Sequence, residues 1–425
     1  MSNLSERDRR VIWHPYTQAQ LSSPPIAIVR GEGVYLQDDK GKKYIDAVSS
    51  WWVNIHGHSH PYIADKVAEQ LNKLEHAIFA GFTHEPAVLL AERLLKILPA
   101  NQSRIFYSDN GSTAVEVAVK MALQYWSNTG RARKKIIALQ HAYHGDTFGA
   151  MSVSARSSFT GPFSELLFDV IHIPFPAKKS AHLTINALKQ VIAENKNEIA
   201  AFICEPLVLG AGGMLMYDEA TLQSLISICK SNDIITIADE VMTGFGRTGK
   251  LFASQYIRAE PDIICMSKGI TGGTMPLGAT SCTEKIYEAF LSADRTKTFF
   301  HGHSYTANPV ACAAALASLD LLLEETCQAS RQRISESHRQ FIDASENVSA
   351  FGNMRSRGTI LAFDFVSPAG TSYFNPLRDR LYDHFIERGV LLRPLGNTLY
   401  ILPPYCITND ELDIVYDAIM EIAKF

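Results

Sequence analysis

The stretches Ile234-Ile235-Thr236-Ile237-Ala238-Asp239-Glu240 and Ile263-Ile264-Cys265-Met266-Ser267-Lys268-Gly269 decide how this chain reads. Each begins as a short apolar run of the kind that lies buried on both faces of a parallel sheet. Each then ends on charge, a carboxylate at Asp239 and an amine at Lys268. A carboxylate closing a buried strand is costly without a cationic partner. A partly desolvated lysine is able to act as nucleophile or base. On local grounds the pair reads equally as a buried ion pair or as a chemical centre.

Working outward, the same kind of run recurs at Arg104–Tyr107, Ile136–Leu139, Val170–Ile173 and Ala200–Cys204. Between two of them, Leu222, Leu225, Ile226 and Cys229 follow helical spacing. Buried runs alternating with amphipathic helices predict an α/β fold with a mainly parallel sheet covered on both faces, over residues 62–305. Residues 1–61 read as irregular to strand-like, with a turn at Asp38-Asp39-Lys40-Gly41. Residues 306–425 read as α+β. Asn308-Pro309 starts a helix through Leu323, and further helices lie near Gln328–Ala344 and Pro376–Arg388. Strands are expected at Ile360–Phe365, Val390–Arg393 and Leu399–Leu402. Both termini are expected to contribute to one smaller domain beside the large one.

Composition narrows the function classes. The 425 residues are 46 % hydrophobic and 20 % charged, a globular balance. With 40 Lys plus Arg against 44 Asp plus Glu, the net charge of −4 argues against a general nucleic-acid binder. The longest apolar candidate for a membrane span, Val310 to Leu319, is cut by Asp320. Met1 to Arg10 is polar with both signs of charge, unlike a secretory leader and a poor fit to a transit peptide. Seven cysteines without a C-x-x-C pair read as reduced core thiols of a cytoplasmic protein. Gly244-Phe245-Gly246-Arg247-Thr248-Gly249 fits the G-x-G-x-x-G string, but residues intervene after the strand and no helix start follows, which disfavours a nicotinamide site. His56-Gly57-His58-Ser59-His60 runs into Pro61 with no carboxylate or cysteine completing a ligand set, which disfavours a metal.

In an open α/β sheet, ligands bind beyond the carboxyl ends of the strands. After the Arg104–Tyr107 run comes Ser108-Asp109-Asn110-Gly111-Ser112-Thr113, then a helix whose buried face is Val115, Ala118, Val119, Ala122 and Trp126. Thr113 with Glu116 fits a capping box. A glycine and hydroxyls at a helix N-terminus suit an anion, although most such caps are only structural.

The motifs Asp239-Glu240-Val241, Thr243 to Gly249 and Ser267-Lys268-Gly269, in that order, resemble those of the class III aminotransferases, pyridoxal-phosphate enzymes of fold type I. Gly33-Val34-Tyr35-Leu36 through Asp46 and His58-Ser59-His60-Pro61 are similar to the family's N-terminal segment, so the resemblance spans nearly the whole chain. Three features resemble the branch of the family that works in biotin synthesis: Trp13-His14-Pro15-Tyr16-Thr17, Ser49-Ser50-Trp51-Trp52, and Arg393-Pro394 followed by Tyr400 and Pro403-Pro404-Tyr405.

The resemblance implies specific roles. Lys268 would bond to the cofactor aldehyde and, once displaced by the incoming amine, serve as general base and acid. Asp239 would keep the pyridine nitrogen protonated, and Tyr143 and Val241 would lie on the two ring faces. Gly111 and Ser112 would take the phosphate. Ser304, where the wider family has Thr, would contact it from a partner subunit, with Gly302 beside it in the substrate site, so that a homodimer shares its active sites. Arg393 would receive the carboxylate of the donor, S-adenosylmethionine, and Arg247 that of the acceptor, 8-amino-7-oxononanoate. Tyr16, Trp51, Trp52 and Tyr400 would form an aromatic wall. The rival readings are another ω-aminotransferase, the same product made with lysine as donor, or a catalytically inactive binding protein; the retained Lys268 and Asp239 argue against the last.

Overall fold

The computed structural model describes residues 3–423; residues 1–2 and 424–425, the outermost parts of the two terminal segments, lie outside the described residues. Its centre is a seven-stranded sheet. In chain order the strands are β1 Gln102–Ser108, β2 Lys135–Leu139, β3 Ile171–Ile173, β4 Ile199–Cys204, β5 Ile235–Asp239, β6 Ile263–Met266 and β7 Gly278–Thr283. They lie side by side in the order β1-β7-β6-β5-β4-β2-β3. All neighbouring pairs are parallel except those made by β7, which runs antiparallel to both β6 and β1.

Six of the strands coincide with the apolar runs. The seventh, Gly-Ala-Thr-Ser-Cys-Thr, carries small and hydroxylated residues and has no apolar signature, although most of it is buried. Its small residues suit its surroundings: a Cβ on Gly278 would sit 2.4 Å from the Asn110 carbonyl oxygen and from Ser108 Oγ. This strand therefore runs close beneath the start of the next helix, α1 Gly111–Asn128.

The alternation of side chains along each strand divides the core in two. Ile136 and Ala138 of β2, with Ala201 and Ile203 of β4, pack beneath Val115, Ala118, Ala122 and Trp126 of α1. Their neighbours Ile137, Leu139, Phe202 and Cys204 face the other side, where Leu222, Leu225 and Ile226 of α2 Glu219–Ser231 cover them. Each fully buried isoleucine, leucine, valine or phenylalanine among them contributes about 1.5–3 kcal/mol. Trp126 also donates its indole N–H to the Ala200 carbonyl at 2.8 Å, so its one polar atom is satisfied.

The cap of α1 differs from the expected one. Asn110 is the N-cap, accepting from the Thr113 N–H at 2.9 Å, and Thr113 is the third residue of the box. Glu116 is released from capping its own helix. It accepts instead from Thr147 Oγ1 and from the N–H groups of Gly149 and Ala150, tying down the short helix Phe148–Val153.

The N-terminal and C-terminal segments meet in one sheet. Ile28–Glu32, Tyr35–Asp38 and Lys43–Asp46 form an antiparallel meander, and Val390–Leu391 joins its edge parallel to Lys43–Asp46. A second sheet holds Phe351–Arg357, Ile360–Phe365 and Thr398–Ile401. The Asn308 side chain caps α3 Pro309–Leu323 by accepting from the Ala311 N–H. The cysteines are all free, but only five are buried; Cys327 is half-buried and Cys406 is exposed, so the expectation of seven core thiols fails at these two. Among the described residues no helix is long and apolar enough to cross a membrane.

Candidate active site

The carboxyl ends of β1, β4, β5 and β6 open on a cavity of about 410 Å³. Asp239 ends β5 and Lys268 follows β6, so the parallel register that pairs Asp239 with Cys265 brings the carboxylate and the amine to one chamber. Lys268 is in the left-handed region (φ 48°) and its Nζ makes no hydrogen bond among the described residues; it lies 4.4 Å over the Trp52 ring. Burial draws its ammonium down to about 8, against the opposing pull of Asp239 and Glu205. Near neutral pH the neutral, nucleophilic amine is then within easy reach.

Asp239 is held rigidly. His144 Nδ1 donates to Oδ2 at 2.7 Å and the Val241 N–H donates to Oδ1 at 3.1 Å. His144 Nε2, on the far side of that ring, is buried without a partner. Glu205, just past β4, is also fully buried; it accepts from the Tyr143 N–H at 3.0 Å and the Gly210 N–H at 2.9 Å, and burial pushes its carboxyl up to about 7. Glu205 thereby fixes the backbone of Tyr143. Neither His144 nor Glu205 was singled out from sequence, yet Glu205 follows an apolar run just as Asp239 does, and the strand-end rule would have found it.

At the opposite wall, the first-turn N–H groups of Gly111 and Ser112 have no acceptor within α1. Space there is tight. A Cβ on Gly111 would stand 2.7 Å from Val241 Cγ1, and one on Gly145 (φ 135°) would stand 2.2 Å from Ser112 Oγ. Only glycine lets these backbones approach so closely, leaving the helix start open to a ligand.

The cavity's outer wall is aromatic. The Tyr16 hydroxyl donates to Asp146 and lies 3.4 Å from the Tyr143 hydroxyl; burial and the Asp146 carboxylate raise its pKa to about 12. Tyr16 meets Trp51 edge-on at 5.6 Å, and the Arg393 guanidinium lies over the Trp51 ring at 4.8 Å. Trp52 is buried and donates its indole N–H to Tyr400 Oη at 3.1 Å. Arg393 is half-buried and makes no hydrogen bond or ion pair among the described residues. A half-buried guanidinium lacking a counter-charge is a ready receptor for a carboxylate.

The structure thus gathers Tyr16, Trp51, Trp52, Gly111, Ser112, Tyr143, Asp239, Val241, Lys268, Arg393 and Tyr400 around one cavity. Three expected residues do not line it. Arg247 is 1 % exposed and donates to three backbone carbonyls, Pro403 at 2.8 Å, Asn54 at 3.1 Å and Trp52 at 3.3 Å, with its guanidinium over Tyr405. It braces the aromatic wall from behind and does not line the cavity, unlike the expected receptor for a substrate carboxylate. Gly302 and Ser304 are exposed and away from their own chain's cavity. Trp13, from the N-terminal motif, is 94 % exposed.

The residues present fit pyridoxal phosphate. An amine without a hydrogen-bond partner faces a buried, doubly hydrogen-bonded carboxylate, and a glycine-lined helix N-terminus gives an anion seat.

Residues 16–423 match the model of the family described as "Aminotransferase class-III". A protein of Synechococcus elongatus named adenosylmethionine-8-amino-7-oxononanoate aminotransferase is 49 % identical over 421 residues, covering 97 % of this chain and 98 % of that one. A crystal structure of the enzyme of that name from Methanocaldococcus jannaschii superposes with a TM-score of 0.93 at 37 % identity, covering 98 % of each chain. An amine transaminase from an uncultivated Pseudomonas species, solved in its PLP-bound form, gives 0.91 at 32 % identity, covering 97 % of this chain and 98 % of that one.

Proposed function

The chain belongs to the class-III aminotransferases, and we propose that it moves an amino group from S-adenosylmethionine to 8-amino-7-oxononanoate, giving 7,8-diaminononanoate for biotin synthesis. Its cofactor is pyridoxal phosphate, which when bound supplies the electron sink for carbanion chemistry and carries the amino group between the two half-reactions. The observation that carries the substrate reading is the uncompensated Arg393, stacked on Trp51 in the same cavity as Lys268.

The residues divide the work. Gly111 and Ser112 seat the phosphate, while Tyr143 and Val241 enclose the ring. Asp239, fixed by His144 and the Val241 N–H, offers its negative charge to the pyridine nitrogen. Lys268 Nζ, its pKa drawn down to about 8 by burial, takes the proton from the substrate carbon bearing the amine and returns it elsewhere, as a general base and acid should. With Arg247 walled off behind the site, Arg393 is the one guanidinium among the lining residues, so it receives the carboxylate of each substrate in turn. Tyr16 and Trp51 form the wall for the aliphatic chain, and their faces attract the donor's sulfonium.

Gly302 and Ser304 are exposed on a segment flanked by exposed Phe300 and Tyr305. Their place supports a homodimer in which this segment completes the phosphate site of the partner subunit. The unpaired cysteines agree with a cytoplasmic location.

A donor panel tests the substrate reading. Purified, cofactor-loaded protein is mixed with S-adenosylmethionine, lysine, alanine or 4-aminobutyrate, and the cofactor absorbance change is followed in a single turnover. S-Adenosylmethionine should react fastest. Faster reaction with lysine or 4-aminobutyrate would move the protein to another donor class.

A further inference from the structure

Four consecutive residues beside the active site, Ser49, Ser50, Trp51 and Trp52, have positive φ (52°, 45°, 73° and 75°). None is glycine. A left-handed turn of L-residues costs about 1–2 kcal/mol per residue and persists only where its surroundings over-determine it.

Here the determinant is Asp46. Its carboxylate has no exposed surface and is fully used. Oδ1 accepts from the Ser50 N–H at 2.9 Å and the Val48 N–H at 3.3 Å. Oδ2 accepts from Ser50 Oγ at 2.7 Å and from His58 Nε2 at 3.0 Å. His58 is steadied in turn by Asn54, whose side chain lies 3.2 Å from Nδ1. The turn is pinned at its start by Ser49 Oγ, which donates to the Leu402 carbonyl at 2.7 Å.

What the turn carries matters for function. It puts the Trp51 ring against Arg393 and the Trp52 ring against Lys268 Nζ. Asp46 also sits in register with Leu391 on the neighbouring parallel strand, two residues before Arg393. The turn and the arginine are therefore carried by adjacent strands of one sheet.

We propose that Asp46, clamped by His58, is a positioning residue for substrate recognition: it holds the left-handed turn and thereby sets the Trp51–Arg393 stack that receives the substrate carboxylate. This rests on the reading of Arg393 given above. Asp46 touches neither amine nor carboxylate, so its loss should weaken recognition far more than it slows the chemistry.

The test uses the cofactor-loaded enzyme and Asp46→Asn, which keeps the volume but loses one charge-assisted acceptor. KM for S-adenosylmethionine should rise roughly 10- to 100-fold, the range for a lost hydrogen bond to a charged group, while kcat changes less than about 3-fold. KM for a slow amine substrate without a carboxylate should stay within about 2-fold. In a Trp13→Phe background, which removes the other exposed indole, acrylamide should quench more of the remaining fluorescence once the turn is released. Adding Ser50→Gly to Asp46→Asn should recover much of the KM, because glycine adopts positive φ freely. If Asp46→Asn does not fold, Ser50→Ala is measured in its place and should raise the same KM about 3- to 10-fold.

An unchanged KM, equal losses for both kinds of amine, or no recovery with glycine would overturn the proposal. Arg393→Ala, run in parallel, separates the two ideas. If it too fails to discriminate carboxylate donors, the substrate reading is at fault; if it discriminates and Asp46→Asn does not, only the positioning role is lost.

Discussion

Replacing Arg393 by alanine removes a half-buried guanidinium that has no counter-charge and lies 4.8 Å over the Trp51 ring. Truncating one partner of a desolvated charge pair costs about 2–5 kcal/mol. Half-burial places this pair in the lower part of that range, about 2–3.5 kcal/mol, or roughly 30- to 400-fold at 1.36 kcal/mol per tenfold. The lost stack on Trp51 adds about 0.5–1 kcal/mol, which disturbs every substrate alike by up to about 5-fold. The ratio of two losses is therefore the informative quantity. Single-turnover kcat/KM is measured for S-adenosylmethionine and for a primary amine of similar length without a carboxylate. The second should fall by no more than about 5-fold, and the loss for the first should exceed it by roughly 30- to 400-fold. Equal losses would mean that Arg393 serves the aromatic wall alone and that the carboxylate binds elsewhere.

Other perturbations probe the rest of the site. Lys268→Ala should retain the fold, lose turnover by roughly 100- to 10,000-fold or more, and abolish the borohydride-stable label that peptide mapping of the wild type should place on Lys268. Asp239→Asn leaves the helix N-terminus intact, so cofactor affinity should fall less than about 10-fold while half-reaction rates fall roughly 100- to 1,000-fold, a loss typical of removing a preorganised electrostatic partner. With the amine drawn down to about 8 by burial, the neutral fraction of Lys268 rises from about a tenth at pH 7 to about nine-tenths at pH 9. Cofactor capture by the protein stripped of cofactor should accordingly speed up from pH 6 to 9 and level off above it; continued acceleration past pH 10 would indicate an ordinary lysine. Arg247→Leu leaves three buried carbonyls without their donor, and denaturant unfolding should show a loss of about 3–5 kcal/mol.

The strands that hydrophobic runs can announce were legible from sequence, because β2, β4, β5 and β6 are buried on both faces and need apolar residues throughout. The strand β7 escaped because its neighbours demand small residues. Asp239 and Lys268 were legible for a related reason: a charge closing a buried strand stands out. Glu205 obeys the same rule and was missed. His144 could not be found that way, since its contact to Asp239 spans segments that meet only in the folded chain. Arg247 shows the converse limit. The resemblance suggested it as a carboxylate receptor, but its partners here are backbone carbonyls, which leave no mark in sequence. The turn at Ser49–Trp52 is hidden for the same physical reason, because no glycine marks the positive φ that Asp46 enforces.

Amino transfer between two specific substrates at one cavity is checked most simply by following the nitrogen. S-Adenosylmethionine carrying ¹⁵N in its α-amino group is incubated with the cofactor-loaded protein and 8-amino-7-oxononanoate, and the product is analysed by mass spectrometry. The expected product is 7,8-diaminononanoate with one ¹⁵N, at the newly aminated carbon. Absence of labelled diamine, while a different amine donor sustains turnover on the same protein, would contradict it.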